Sequence, residues 1–161
     1  MNSYQCRVHF QSPPHAVYQA LITPEGLRGW WTVDCDVNPE VGGEHTFRFE
    51  GVVFNSMQVV ELVPDQLVHW KCTVGWKEWL GTEVFFTLTE TEDGGTDLLF
   101  EHRGLTPGKK CYKSCSRGWD TFVQGSLKNY VDTGKGKPHV PKSGVVGKLS
   151  STAFKLVSSR Y

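Results

Sequence analysis

Two histidines sit where an imidazole can do chemistry. His102 shares the parity of Leu98 and Phe100 along a predicted strand, and His45 shares that of Phe47 and Phe49. Both rings therefore turn toward an apolar face, and a buried imidazole needs a hydrogen-bond partner. His102 is open to three roles: a satisfied core residue, a group that orients a ligand, or an acid–base group tuned by burial. His45, near a strand start, falls at the rim of the same space. Phe47, Phe49, Phe86, Phe100, Trp119 and Phe122 lie on faces predicted to look inward. A packed core accounts for any one of them, but as a set they favour an apolar pocket. Adjacent aromatics point different ways, so at most one of Trp30 and Trp31 enters that space, and Trp31 is assigned to it. The other packs or hydrogen-bonds its indole N–H.

Other chemistries lack support. The histidines form no H-x-H or H-E-x-x-H pattern, and Cys111 and Cys115 have no second pair, so no metal and no cofactor are expected. Cys115 reads as a small apolar core residue. Asp34 and Asp36 share the polar face of a strand and are expected to be solvated rather than to form a catalytic pair. There is no glycine-rich phosphate loop, G-x-S-x-G elbow or Walker motif. No catalytic residue is assigned.

The elements that must position these residues are mostly strands. Tyr4, Cys6, Val8 and Phe10 alternate with polar residues, which predicts a half-buried strand of an antiparallel sheet. Ser12-Pro13-Pro14 and Thr23-Pro24-Glu25 each combine a cap with a proline and predict two short helices. Strands are then predicted over 32–37, 44–50, 52–62, 67–74, 82–90 and 96–104, the last two joined by the hairpin signal Glu92-Asp93-Gly94-Gly95. From about residue 110 to 133 the period becomes 3.6, with Cys115, Trp119, Phe122, Ser126 and Tyr130 on one stripe and Gly134 as its C-terminal cap. The fold class is α+β: a curved seven-stranded antiparallel sheet covered by one long C-terminal helix. Gly118 and Gly125 weaken that helix, so either the helix approaches the sheet closely there or it leaves space for a bound molecule.

A chain of 161 residues with a formal net charge of zero fits one domain that folds without staples. No apolar run spans a bilayer and the N-terminus lacks a signal-peptide pattern, so a cytoplasmic protein without integral membrane association is expected. Five irregularly spaced cysteines argue against a disulfide framework. Residues 135–161 contain Lys135, Lys137, Lys142, Lys148, Lys155 and Arg160 and no acidic residue, which leaves the body net acidic. Such a body is a poor nucleic-acid binder. The division expected is a domain over 1–139 and a basic extension over 140–161. Within that extension, 149–157 carries Phe154, Leu156 and Val157 and is predicted to pack on the domain or on a second copy.

Three stretches carry a family resemblance: Ser12-Pro13-Pro14 through Thr23-Pro24-Glu25-Gly26-Leu27 to Trp30-Trp31, then Gly95-Thr96 to His102-Arg103-Gly104-Leu105, then Gly118-Trp119 through Tyr130 to Thr133-Gly134-Lys135-Gly136-Lys137-Pro138. Over about residues 3–139 the sequence resembles the START-like (Bet v 1-like, SRPBCC) superfamily. Within it, the chain is similar to stand-alone relatives of the C-terminal domain of the heat shock protein 90 ATPase activator. The resemblance implies a helix-grip fold with a cavity between sheet and helix that takes hydrophobic small molecules or lipids. The leading expectation is thus a non-enzymatic binder of such a ligand, monomeric or homodimeric. One alternative is a cyclase or lyase on an aromatic or polyketide-like substrate, with His102 as acid–base group; this requires His102 to be reachable by solvent. The other is a chaperone-linked interaction module.

Overall fold

The computed structural model describes residues 3–142. Each period-two segment forms a strand: β1 (Tyr4–Phe10), β2 (Cys35–Asp36), β3 (Glu44–Phe49), β4 (Val52–Val63), β5 (Leu67–Val74), β6 (Glu83–Glu90) and β7 (Thr96–Arg103). They form one seven-stranded antiparallel sheet in the order β1-β7-β6-β5-β4-β3-β2. Consecutive strands from β2 to β7 are neighbours, and β1 closes the far edge against β7, Tyr4 facing His102 and Phe10 facing Thr96. The second strand is shorter than predicted, because Thr32, Val33 and Asp34 take other hydrogen bonds.

Helices α1 (Pro14–Ile22) and α2 (Pro24–Trp30) follow β1. The Thr23 hydroxyl accepts the Gly26 N–H at 3.0 Å and caps α2. Ser12 is not the cap of α1; that position is Pro13, with Pro14 opening the helix. The Ser12 hydroxyl instead donates to Asp132 at 2.9 Å, tying the start of α1 to the end of the C-terminal helix. The α1–α2 corner is tight. A Cβ on Gly26 would lie 2.4 Å from the Ala20 carbonyl oxygen, so only glycine fits.

The C-terminal helix is continuous in direction but not in type. It comprises α3 (Tyr112–Trp119), a π-helical stretch (Asp120–Leu127) and α4 (Lys128–Thr133), and it ends at Gly134 with φ of 82°. A π turn closes on i+5 rather than i+4, so it advances the buried stripe. Cys115 and Trp119 are buried as expected, but the next buried residues are Val123, Ser126 and Leu127, and Phe122 is half-buried.

Between sheet and helix lies an aromatic core. Phe47, Trp70, Phe86 and Phe100 have no exposed surface, and each such side chain contributes about 1.5–3 kcal/mol by leaving water. Phe86 meets Phe100 edge-on at 5.1 Å and Trp70 at 5.0 Å.

Asp34 departs from its expected solvated place. It is fully buried and accepts from Arg48 Nη1 at 2.9 Å, while Arg48 Nη2 bonds Asp36, whose side chain is 54% exposed. Burial opposes the guanidinium charge, but the Asp36 and Asp34 carboxylates outweigh it and raise the Arg48 pKa. The chain beyond α2 and the segment after Gly134 both run beside the Arg48 backbone or its neighbours. Thr32 donates to the Arg48 carbonyl at 2.9 Å, and residue 139 pairs in parallel with residue 32. The His139 N–H donates to the Trp31 carbonyl at 2.8 Å and Pro141 is buried. The predicted docking of 149–157 lies outside the described residues.

Candidate functional site

One end of the sheet–helix space is not filled. Trp31, Trp79 and Trp119 wall it from within, Phe49 and Phe54 form its floor, and Cys115, Gly118 and Phe122 form its helix side. The cavity measures about 70 Å³. Its mouth lies at Ser114, which is exposed, beside the half-buried Gly118 and Phe122. A Cβ on Gly118 would meet nothing within 4 Å, and the same holds at Gly125. Close approach of helix to sheet therefore explains neither glycine, and Gly118 borders open space.

Each wall has a local cause. Trp31 ends α2, where the partner indole of Trp30 is held by donation to the Ala20 carbonyl at 2.9 Å. Trp31 lies 4.1 Å from Phe47 and 5.2 Å from Trp119, between sheet and helix. Trp79 comes from the β5–β6 loop. Its ring lies nearly parallel to Trp119 at 5.7 Å and its N–H donates to Cys115 Sγ at 3.2 Å. Glu78 next to it accepts the N–H groups of Lys110 and Cys111, each at 2.9 Å, so the loop caps the start of the C-terminal helix. Those bonds hold the Glu78 carboxyl below its ordinary pKa, against the opposing effect of burial. Phe54 reaches the cavity through a bulge: Phe47 pairs with Asn55 but Arg48 with Val53, leaving Phe54 as the extra residue.

Of the residues singled out in the sequence, Trp31, Phe49, Trp119 and Phe122 meet at this cavity. His45, Phe47, Phe86, Phe100 and His102 lie in the packed core and do not line it. Phe54 and Trp79 were not anticipated. A bulge leaves no trace in alternation, and Trp79 sits in a loop without periodicity; its only signal is a second tryptophan, Trp76, three residues earlier between Gly75 and Gly81.

Both candidate histidines are sealed. His102 has no exposed surface; Nδ1 accepts from Trp119 Nε1–H at 3.0 Å and Nε2 bonds Thr82 Oγ1 at 2.8 Å. Burial, with a smaller contribution from Lys109, pushes its pKa down to about 3. His45 accepts the Asn38 N–H on Nδ1 at 3.1 Å, and burial lowers its pKa to about 4. Two neutral imidazoles, His102 with both nitrogens engaged and His45 held through Nδ1, brace the core and do not face the cavity. Among the described residues, no three His, Cys, Asp or Glu side chains converge to hold a metal. No helix among them is long and apolar enough to cross a membrane.

Residues 11–132 match the model of the family described as activator of Hsp90 ATPase homolog 1-like protein. The chain belongs to that family. Among solved structures of similar proteins, the Aha1 dimer from Colwellia psychrerythraea is 32% identical, with 84% of this chain and 100% of that one covered at a TM-score of 0.75. Protein MLL2253 from Mesorhizobium loti is 25% identical over 76% of this chain and 91% of its own, with a TM-score of 0.64. PFC0360w, an HSP90 activator from Plasmodium falciparum, is 17% identical over 83% and 96%, with a TM-score of 0.65, a likeness of fold alone. No curated protein sequence matches the chain. This member of the activator-homologue family thus has the helix-grip fold with its interior largely filled by aromatic rings.

Proposed function

We propose that the protein is a cytoplasmic, non-enzymatic binder of a small hydrophobic molecule, held in the cavity between the C-terminal helix and the sheet. The observation that carries this reading is a cavity walled by Trp31, Phe49, Phe54, Trp79 and Trp119, with Gly118 leaving its helix side open. Aromatic walls with few polar groups are the usual composition of a ligand site. Size narrows the ligand class. Drug-sized ligands occupy pockets of about 300–1,000 Å³, so about 70 Å³ suits a single ring or a short acyl end rather than a whole lipid chain. A binding role is favoured over a cyclase or lyase because His102, the candidate acid–base group, is enclosed with both ring nitrogens engaged. Titration with small aromatic and short-chain compounds, read by tryptophan emission, tests this. Saturable quenching is expected, and its absence at millimolar ligand sinks the reading.

Family membership and the likeness to the Colwellia Aha1 dimer favour a second reading, an interaction module for heat shock protein 90. Co-purification with that chaperone and stimulation of its ATPase are the outcomes expected, and neither at tens of micromolar protein removes it.

A further inference from the structure

The segment that follows the C-terminal helix passes two walls of the cavity. A Cβ on Gly136 would lie 2.4 Å from the Gly29 carbonyl oxygen, so the chain is pressed against α2 there. The His139 N–H then donates to the Trp31 carbonyl at 2.8 Å, and the His139 ring lies 4.7 Å from that of Phe49. Pro141 is buried, and the Lys142 N–H donates to the Glu50 carboxylate at 3.1 Å. Trp31 and Phe49 both line the cavity, and Glu50 adjoins Phe49. The described chain therefore stops beside the cavity floor, and residues 143–161 continue from that point. They hold Phe154 with Leu156 and Val157 close by, and Lys148, Lys155 and Arg160 without any acidic residue.

Resting on the apolar site proposed above, we propose that residues 149–157 of this chain fold back over the cavity and seat the Phe154 ring in it, so that a small molecule binds only by displacing that ring. Reach, shape and charge select this occupant. From the anchor at Lys142 the chain extends roughly 40 Å to residue 154, at about 3.3–3.6 Å per residue, more than the neighbouring Phe49 and Phe54 require. A volume of about 70 Å³ admits a single ring, and the walls are aromatic, which suits phenylalanine. Tyr161, the other ring in the segment, would carry a hydroxyl into a largely apolar space, where it loses water without a sure partner. The net acidic body draws the basic segment back toward itself, while the ring decides where it stops.

The test uses the full chain and two full-length variants, Phe154→Ala and Tyr161→Ala, with 3-phenylpropanamide as the probe, followed by shifts of the indole N–H signals. Phe154→Ala should bind the probe roughly tenfold tighter than the unmodified chain, because its site is always open. Tyr161→Ala should bind it as the unmodified chain does. Without probe, nuclear Overhauser contacts should join the Phe154 ring to the ring protons of Trp79 and Trp119 within one chain. Equal probe affinity in the unmodified chain and Phe154→Ala, or absence of these contacts, overturns the plug and leaves the apolar site standing. Contacts found only between chains of a mixed labelled sample place the ring in a second copy and overturn it as well. Binding of the probe to none of the three proteins at millimolar concentration removes the small-molecule reading, and the ring contacts alone then decide the plug.

Discussion

The indole N–H of Trp119 donates to Nδ1 of His102 across 3.0 Å. That bond places the imidazole proton on Nε2, which donates to Thr82 Oγ1 at 2.8 Å; the Thr82 hydroxyl then donates to the Trp79 carbonyl at 2.6 Å. One relay joins the C-terminal helix, β7 and the β5–β6 loop, and it has room for one proton on the ring. A second proton would set Nδ1–H against the indole N–H, donor against donor.

Acid should therefore unfold the protein earlier than its carboxylates require. Burial lowers the His102 pKa to about 3 and that of His45 to about 4, against about 6.5 in an unfolded chain. Between those values the unfolded state binds more protons. Stability is complete above about pH 6.5 and falls as pH drops, by about 1.4 kcal/mol per pH unit for each histidine. At pH 5 the two together cost roughly 4 kcal/mol. Urea midpoints at pH 7.5 and pH 5 measure this, and His45→Gln should halve the slope. Equal midpoints at the two pH values would contradict it.

The two helix glycines separate stability from binding. Alanine at Gly118 or Gly125 meets no neighbour within 4 Å, so each replacement should stabilise by about 0.5–1 kcal/mol through helix propensity. Only Gly118 borders the cavity. Gly118→Leu should fill the mouth and remove ligand quenching, whereas Gly125→Ala should leave it intact. Loss of quenching in the Gly125 variant would place the site elsewhere.

Asp34 and Asp36 share one arginine but not one environment. Asp34→Ala strands a buried guanidinium and should cost about 3–5 kcal/mol. Asp36→Ala, with its carboxylate half in water, should cost under about 1 kcal/mol. Denaturation of both variants would settle the ranking, and similar losses would mean that Arg48 is not held as described.

Glu78 acts as a cap supplied from another element. Glu78→Ala should cost about 1 kcal/mol and loosen the loop that holds Trp79. Faster amide exchange at Lys110 and Cys111 and red-shifted emission are expected. Unchanged exchange at those two amides would refute the capping role.

Much of this architecture is legible in alternation alone. In β1 and β3 polar and apolar residues alternate in the sequence, so Val8 and Phe10, or Phe47 and Phe49, announce the inner side. The helix is legible in extent but not in phase. Nothing in Asp120 to Leu127 signals the π turn that buries Val123 and leaves Phe122 at the cavity rim. Asp34 is misleading for a similar reason: parity groups it with Asp36, but its partner Arg48 lies on another strand and on a face that reads as solvent-exposed. The cavity itself depends on a bulge at Phe54 and a loop at Trp79, two departures from periodicity that pattern reading cannot register.

The pairing of β1 with β7 has a consequence for synthesis. Tyr4 finds its partner only at His102, and Phe10 at Thr96. At about 5–20 residues per second on the ribosome, the first strand waits on the order of 5–20 s for the last to emerge. During that interval Val8 and Phe10 have no sheet to join, while β3, β4, β5 and β6 can already zip together. β1 is made before the other six strands and is among the last to be seated. The nascent chain must keep an apolar strand from straying while the rest of its sheet is built.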